Sequence, residues 1–128
     1  MDTDALARFH ETFAWFVVGA NLIAAGWALA AHRYKALRHR ALWWFTAVAE
    51  VSIAVQVVAG AVLRQQLFGG DDPDHLAFHM FYGFVALFAV AIIYSYRGQL
   101  KGRLYLLYGA GGFFLMGLAL RAIHLKPT

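Results

Sequence analysis

Three stretches of this chain, Thr12–Ala31, Leu76–Tyr96 and Leu104–Leu120, contain no Asp, Glu, Lys or Arg, and a fourth, Ala41–Leu63, contains only Glu50. At about 1.5 Å per residue each can cross a hydrocarbon layer about 30 Å thick, the last reaching full length once Arg121 turns its charge toward the headgroups. In lipid every main-chain amide must be satisfied, and none of the runs alternates as a barrel strand does. The expected fold class is therefore all-α. Composition agrees: 62% hydrophobic and 16% aromatic residues against 14% charged, with a mean hydropathy of +0.58, are proportions of an integral membrane protein.

The expectation is one transmembrane domain over residues 1–128, an antiparallel four-helix bundle with helices at about 8–31, 41–65, 75–97 and 103–124. The short connections His32–Arg40 and Arg97–Gly102 force neighbouring helices to run antiparallel. The first span does not read as a cleaved signal peptide, because acids outnumber bases ahead of it and its uncharged run is too long.

Charge sets the expected orientation. The first connection carries Arg33, Lys35, Arg38 and Arg40, and the third carries Arg97, Lys101 and Arg103, with no acid in either. All acids other than Glu50 lie in the N-terminal segment or the second connection. The positive-inside rule then puts both termini and the Gly69–Asp74 loop outside, as in a multi-pass protein of a bacterial plasma membrane. The net charge of +4 is on this reading a topology signal, with an unspecific attraction to anionic lipid. Nucleic-acid binding is a poor reading of it, since the bases flank spans and no independent soluble module carries them. The absence of cysteine removes disulfides, thiolate catalysis and cysteine-ligated metals.

Sorted by depth, His10, Glu11, Arg64, His75, His79, Arg121 and His124 fall near the outer boundary, His32 and His39 in the inner basic loop, and Asn21, Glu50 and Gln56 deeper. His10 and His79 stand out. They sit at matched depth on the first and third helices, which are diagonal in an up-and-down bundle, and such a pair can hold one haem iron from opposite sides. Gly60 and Gly117, at comparable depth on the other helices, supply room for a flat macrocycle. Arg64 and Arg121, each four residues beyond its glycine, are the candidate partners of the propionates.

A plainer reading stands beside this one: histidine near the end of a membrane helix is often an interfacial residue with its tip in the headgroups. His75 is a secondary ligand candidate. It forms an i, i+4 pair with His79 that could hold Zn²⁺ or another divalent ion if His10 or His124 supplied a third ligand. It would also fall in the first turn of its helix, where Asp72 and Pro73 read as N-cap and N1 and Asp74 favours the helix dipole.

Glu50, in "AVAEVSIAVQ", is open to two readings. A carboxylate at that depth points to a proton or quinone role, which Gln56 could share; alternatively a protonated Glu50 bonded to Asn21, Ser52 or a tyrosine only fixes packing. Gly19 and Gly26, on the face opposite His10, read as a close-packing or oligomer face, and "YGAGGFF" (108–114) as a site of close approach rather than a phosphate loop. The tryptophans and most tyrosines read as an aromatic belt.

His10 opening a span, the basic loop, "VQVVAGAVL" at 55–63 and His79 opening the next span together resemble one four-helix half of haem A synthase. The resemblance covers about 10–97 and implies haem bracketed by histidines on alternate helices. The chain departs from that family in having one half only, in reading "FHE" where the family has histidine followed by arginine, and in lacking its cysteine-containing loop. What the resemblance implies is thus a small cytochrome b-like bundle rather than a synthase. "HMFYGFVAL", "YSYR" and "LYLLYG" also look like segments of small four-span bacterial membrane proteins, which supplies no activity.

The functional expectation is a b-type haem protein serving electron transfer, with quinone as a possible partner near Glu50 and Gln56, acting as a carrier or within a larger membrane redox complex or homo-oligomer. The rival is a cofactor-free accessory or assembly subunit. A transporter is disfavoured, because no span shows a Gly/Pro-broken midplane.

Overall fold

The computed structural model describes residues 2–69 and 76–124, and every regular element among them is helical. The helices are α1 (Thr3–Arg33), α2 (Arg40–Phe68), α3 (Leu76–Tyr96) and α4 (Leu104–His124), with 3₁₀ turns at Lys35–Leu37 and Lys101–Arg103. All four are long and apolar enough to cross a membrane.

Two helices outrun the sequence expectation. α1 starts at Thr3 rather than about residue 8, because the Asp2 carboxylate accepts the Ala5 N–H at 2.7 Å and caps it. α2 continues to Phe68 through Arg64, Gln65 and Gln66, good helix formers, and ends where Gly69 takes φ +63°. Apolarity marks a span, whereas caps mark a helix, and here the two differ. The expected Asp72–Pro73 cap of α3, with Asp74 and His75, lies outside the described residues.

Each helix packs against two others in the cyclic order α1, α2, α3, α4, so α1 faces α3 across the bundle. The α1–α4 seam is the closest and the α2–α3 seam the thinnest. Glycine accounts for the first. A Cβ at Gly112 would stand 2.8 Å from the Cβ of Ala25, and Gly109 lies against Leu29; in the α3–α4 seam a Cβ at Gly111 would stand 2.6 Å from Ile93. With Ala24, Ala25, Ala28 and Ala31 buried opposite, α1 and α4 approach as small-residue helices do.

The end that holds the two short connections is tied down. Arg38 donates to the carbonyls of Ala31 (2.7 Å) and His32 (2.9 Å), satisfying the C-terminus of α1, and lies 4.9 Å over the Tyr105 ring. Trp27 Nε1 donates to the Leu37 carbonyl at 2.8 Å, and Trp43 packs on Tyr105 and Tyr108 at 5.1 and 5.4 Å. Above this lies the apolar core of Val17, Ile53, Ala86, Ala89, Ile93, Leu115 and Leu118. The opposite end, where α1 begins and α4 finishes, is hollow.

Candidate functional site

The hollow is a cleft of about 510 Å³ lined by all four helices. Val17, Ile53, Ala86 and Leu118 belong both to the core and to its lining, so the core is its floor. Residues of α2 and α3 dominate the walls, as expected where those helices pack least.

His10 and His79 both line it. Their rings meet from diagonal helices with centroids 6.1 Å apart and planes at 78°. His79 Nδ1 lies 2.6 Å from the carbonyl oxygen of Ala122 on α4. A carbonyl only accepts, so Nδ1 carries the proton and Nε2 keeps the lone pair. His10 Nδ1 is buried without a partner. Its ring leans on the bare Cα of Gly60, where a Cβ would come 2.8 Å from Cε1.

Gln56 also lines the cleft. Its Nε2 donates to the main-chain carbonyl of His10 at 2.7 Å, while its Oε1 is buried with no partner. Two unmet polar atoms therefore border one largely apolar space. Arg64 and Glu11 line the same cleft, each engaged in an interaction of its own.

Gly117 and Arg121 fall elsewhere than expected. Gly117 is exposed, with nothing within 4 Å of an added Cβ, and the Arg121 guanidinium sits 6.0 Å over the ring of Tyr82, outside the lining. The stripe of α4 turned inward is Leu118, Ala119, Ala122 and Ile123. Positions 117 and 121 share a face, as their spacing requires, but it is the adjacent one. Room on α4 comes from Ala119 and Ala122, and on α3 from Gly83, which shares the face of His79 by i, i+4 spacing.

Glu50 and Gln56 are likewise separated. Glu50 does not line the cleft; it lies within electrostatic reach of Tyr108, and Ile53 stands between it and the cavity along α2. Asn21 and Ser52 do not hold it. Asn21 donates to the carbonyls of Val17 (2.8 Å) and Ala49 (3.2 Å), and Ser52 to that of Ala49 (2.5 Å).

Among the described residues no group of three His, Asp or Glu side chains is placed to hold a metal ion, and His75 of the alternative zinc arrangement lies outside them. His124 is exposed at the end of α4. Sequence reasoning missed Tyr82, Met80 and Trp15 as lining residues and gave no hint of the Ala122 carbonyl, since a main-chain acceptor has no sequence signature. No family model, curated protein or solved structure matches the chain.

Proposed function

We propose that this chain is a multi-pass protein of a bacterial plasma membrane that binds b-type haem between His10 and His79 and serves electron transfer. The observation that carries the proposal is the spacing of the two rings. The rings come from helices that face each other across the bundle, both line one cleft, and their centroids are 6.1 Å apart, within reach of one haem iron that the two could hold.

Three further features fit the group. His79 has the carbonyl-bound Nδ1–H usual in a metal-ligating histidine. The unmet Gln56 Oε1, costing about 1–3 kcal/mol if left so, supports a guest that brings a hydrogen-bond donor into the cleft. Gly83 leaves room on the α3 wall, while Gly60, expected to make room for the macrocycle, seats the His10 ring instead. Haem, when bound, supplies one-electron chemistry; the chain's own part is to hold and orient it, keep water away with apolar walls, and offer Arg64 at the cleft to a propionate. A quinone headgroup entering the cleft would meet Gln56 and not Glu50.

Membrane insertion is supported by four apolar helices whose outward faces show large side chains such as Trp44, Phe88 and Val58 at 70%, 68% and 63% exposure. The cluster of Arg33, Lys35, Arg38, Arg40, Arg97, Lys101 and Arg103 about the two short connections favours a cytoplasmic place for that end, with both termini outside. A second reading, an accessory subunit of a larger membrane complex or a homo-oligomer, is favoured by Gly19 and Gly26, where an added Cβ would meet nothing within 4 Å among the described residues.

The test is an absorption spectrum of detergent-purified protein, oxidised and then dithionite-reduced, with a pyridine haemochrome assay. About one haem per chain with a sharp reduced α-band is the expected result, the band being abolished in His10→Ala and in His79→Ala. Colourless protein from haem-replete cells, or a wild-type band and haem content in both variants, refutes it.

A further inference from the structure

The two imidazoles are held unequally. His79 is fixed at both ends, by the first turn of α3 and by the Nδ1–H bond to Ala122 of α4 at 2.6 Å. His10 has no such bond. Its Nδ1 is buried and unpartnered, and the unpaired acceptor on the neighbouring helix α2, Gln56 Oε1, is not bonded to it.

An N–H given to a carbonyl fixes the ring and raises the basicity of the other nitrogen. His79 is accordingly the firm donor and His10 the weak one. For His10 to ligate through Nε2, its Nδ1 must carry the proton, and that N–H then lies buried without an acceptor, a cost His79 does not bear.

We infer that the cleft is also a binding site for a small neutral diatomic ligand, which replaces His10 while His79 stays in place. The inference rests on reading the cleft as a haem site. In the exchange the coordinate bond from His10 Nε2 breaks and its electron pair returns to the imidazole; a coordinate bond forms from the lone pair of the incoming diatomic. No electron or proton is transferred.

Gly60 provides a lever on His10 alone. A methyl group added there stands 2.8 Å from His10 Cε1, and its three nearest neighbours all belong to that ring. The end of a flexible side chain is what must give, so Gly60→Ala moves His10 and leaves His79 untouched.

The experiment uses haem-loaded, detergent-purified protein, reduced and mixed with carbon monoxide, with haem content measured in parallel as pyridine haemochrome. Wild type forms the adduct at a rate limited by release of His10. Gly60→Ala keeps its haem, shows increased high-spin character when oxidised, and binds carbon monoxide about ten-fold faster, the scale of one overpacked methyl group. His10→Ala keeps haem through His79 and binds fastest, whereas His79→Ala loses haem. The reverse pattern, with haem kept in His79→Ala and lost in His10→Ala, overturns the assignment, as does a Gly60→Ala protein with unchanged spectrum and rate. Haem present but unreactive toward carbon monoxide in every variant sinks this inference and leaves the haem site standing; protein without haem removes both.

Discussion

His79 is bonded through Nδ1 to the main-chain carbonyl of Ala122, 2.6 Å away, so α3 and α4 are joined side chain to backbone beside the cleft. That bond is a contact of the chain with itself. Removing it costs stability before it costs function. In cofactor-free protein, His79→Ala is expected to lower stability by about 1 kcal/mol more than His10→Ala, whose Nδ1 gives up no bond. Thermal unfolding of the two variants in one detergent checks it, and equal losses would mean that the bond contributes nothing.

The α1–α4 seam predicts a contrast between glycines. Gly112→Val brings a branched side chain against Ala25, where even a Cβ stands at 2.8 Å, and overpacking of that kind costs about 1–3 kcal/mol. Gly19→Ala meets nothing within 4 Å among the described residues and should leave the melting temperature unchanged or higher. A lower melting temperature for Gly19→Ala would show that the α1 face is packed in an oligomer.

Arg38 carries more than charge. Its two hydrogen bonds to the end of α1 make Arg38→Ala destabilising by about 1–3 kcal/mol, while Lys35→Ala, on an exposed position, stays within about 0.5 kcal/mol. Parallel unfolding curves separate them, and equal effects would reduce Arg38 to a topological charge.

Orientation is accessible because the chain has no cysteine. With an impermeant maleimide on intact cells, Thr3→Cys should react and Lys101→Cys should react only after the membrane is opened. The opposite pattern would invert the bundle.

Glu50 stands off the cleft, so Glu50→Gln should leave haem content and spectrum as in wild type. Gln56→Leu, which removes the bond to His10's carbonyl and the unpaired Oε1, should change the spectrum. Sensitivity of the cofactor to Glu50 alone would place the site deeper than the cleft.

What the sequence determined by itself is everything that depends on position along a helix. The uncharged runs specify four apolar helices, and the depth of His10, His79, Gly60 and Arg64 follows from counting residues along them; those four do line one cleft. What only the tertiary structure decided is rotation about each helix axis. Gly117 and Arg121 have the right depth and the wrong face, and Glu50 and Gln56, six residues apart on α2, point to different surroundings. In helices apolar on every side no polar stripe tells inside from outside. The inward face is chosen by fit between helices, here by Gly109 and Gly112 against Leu29 and Ala25, and that fit exists only once the helices have met.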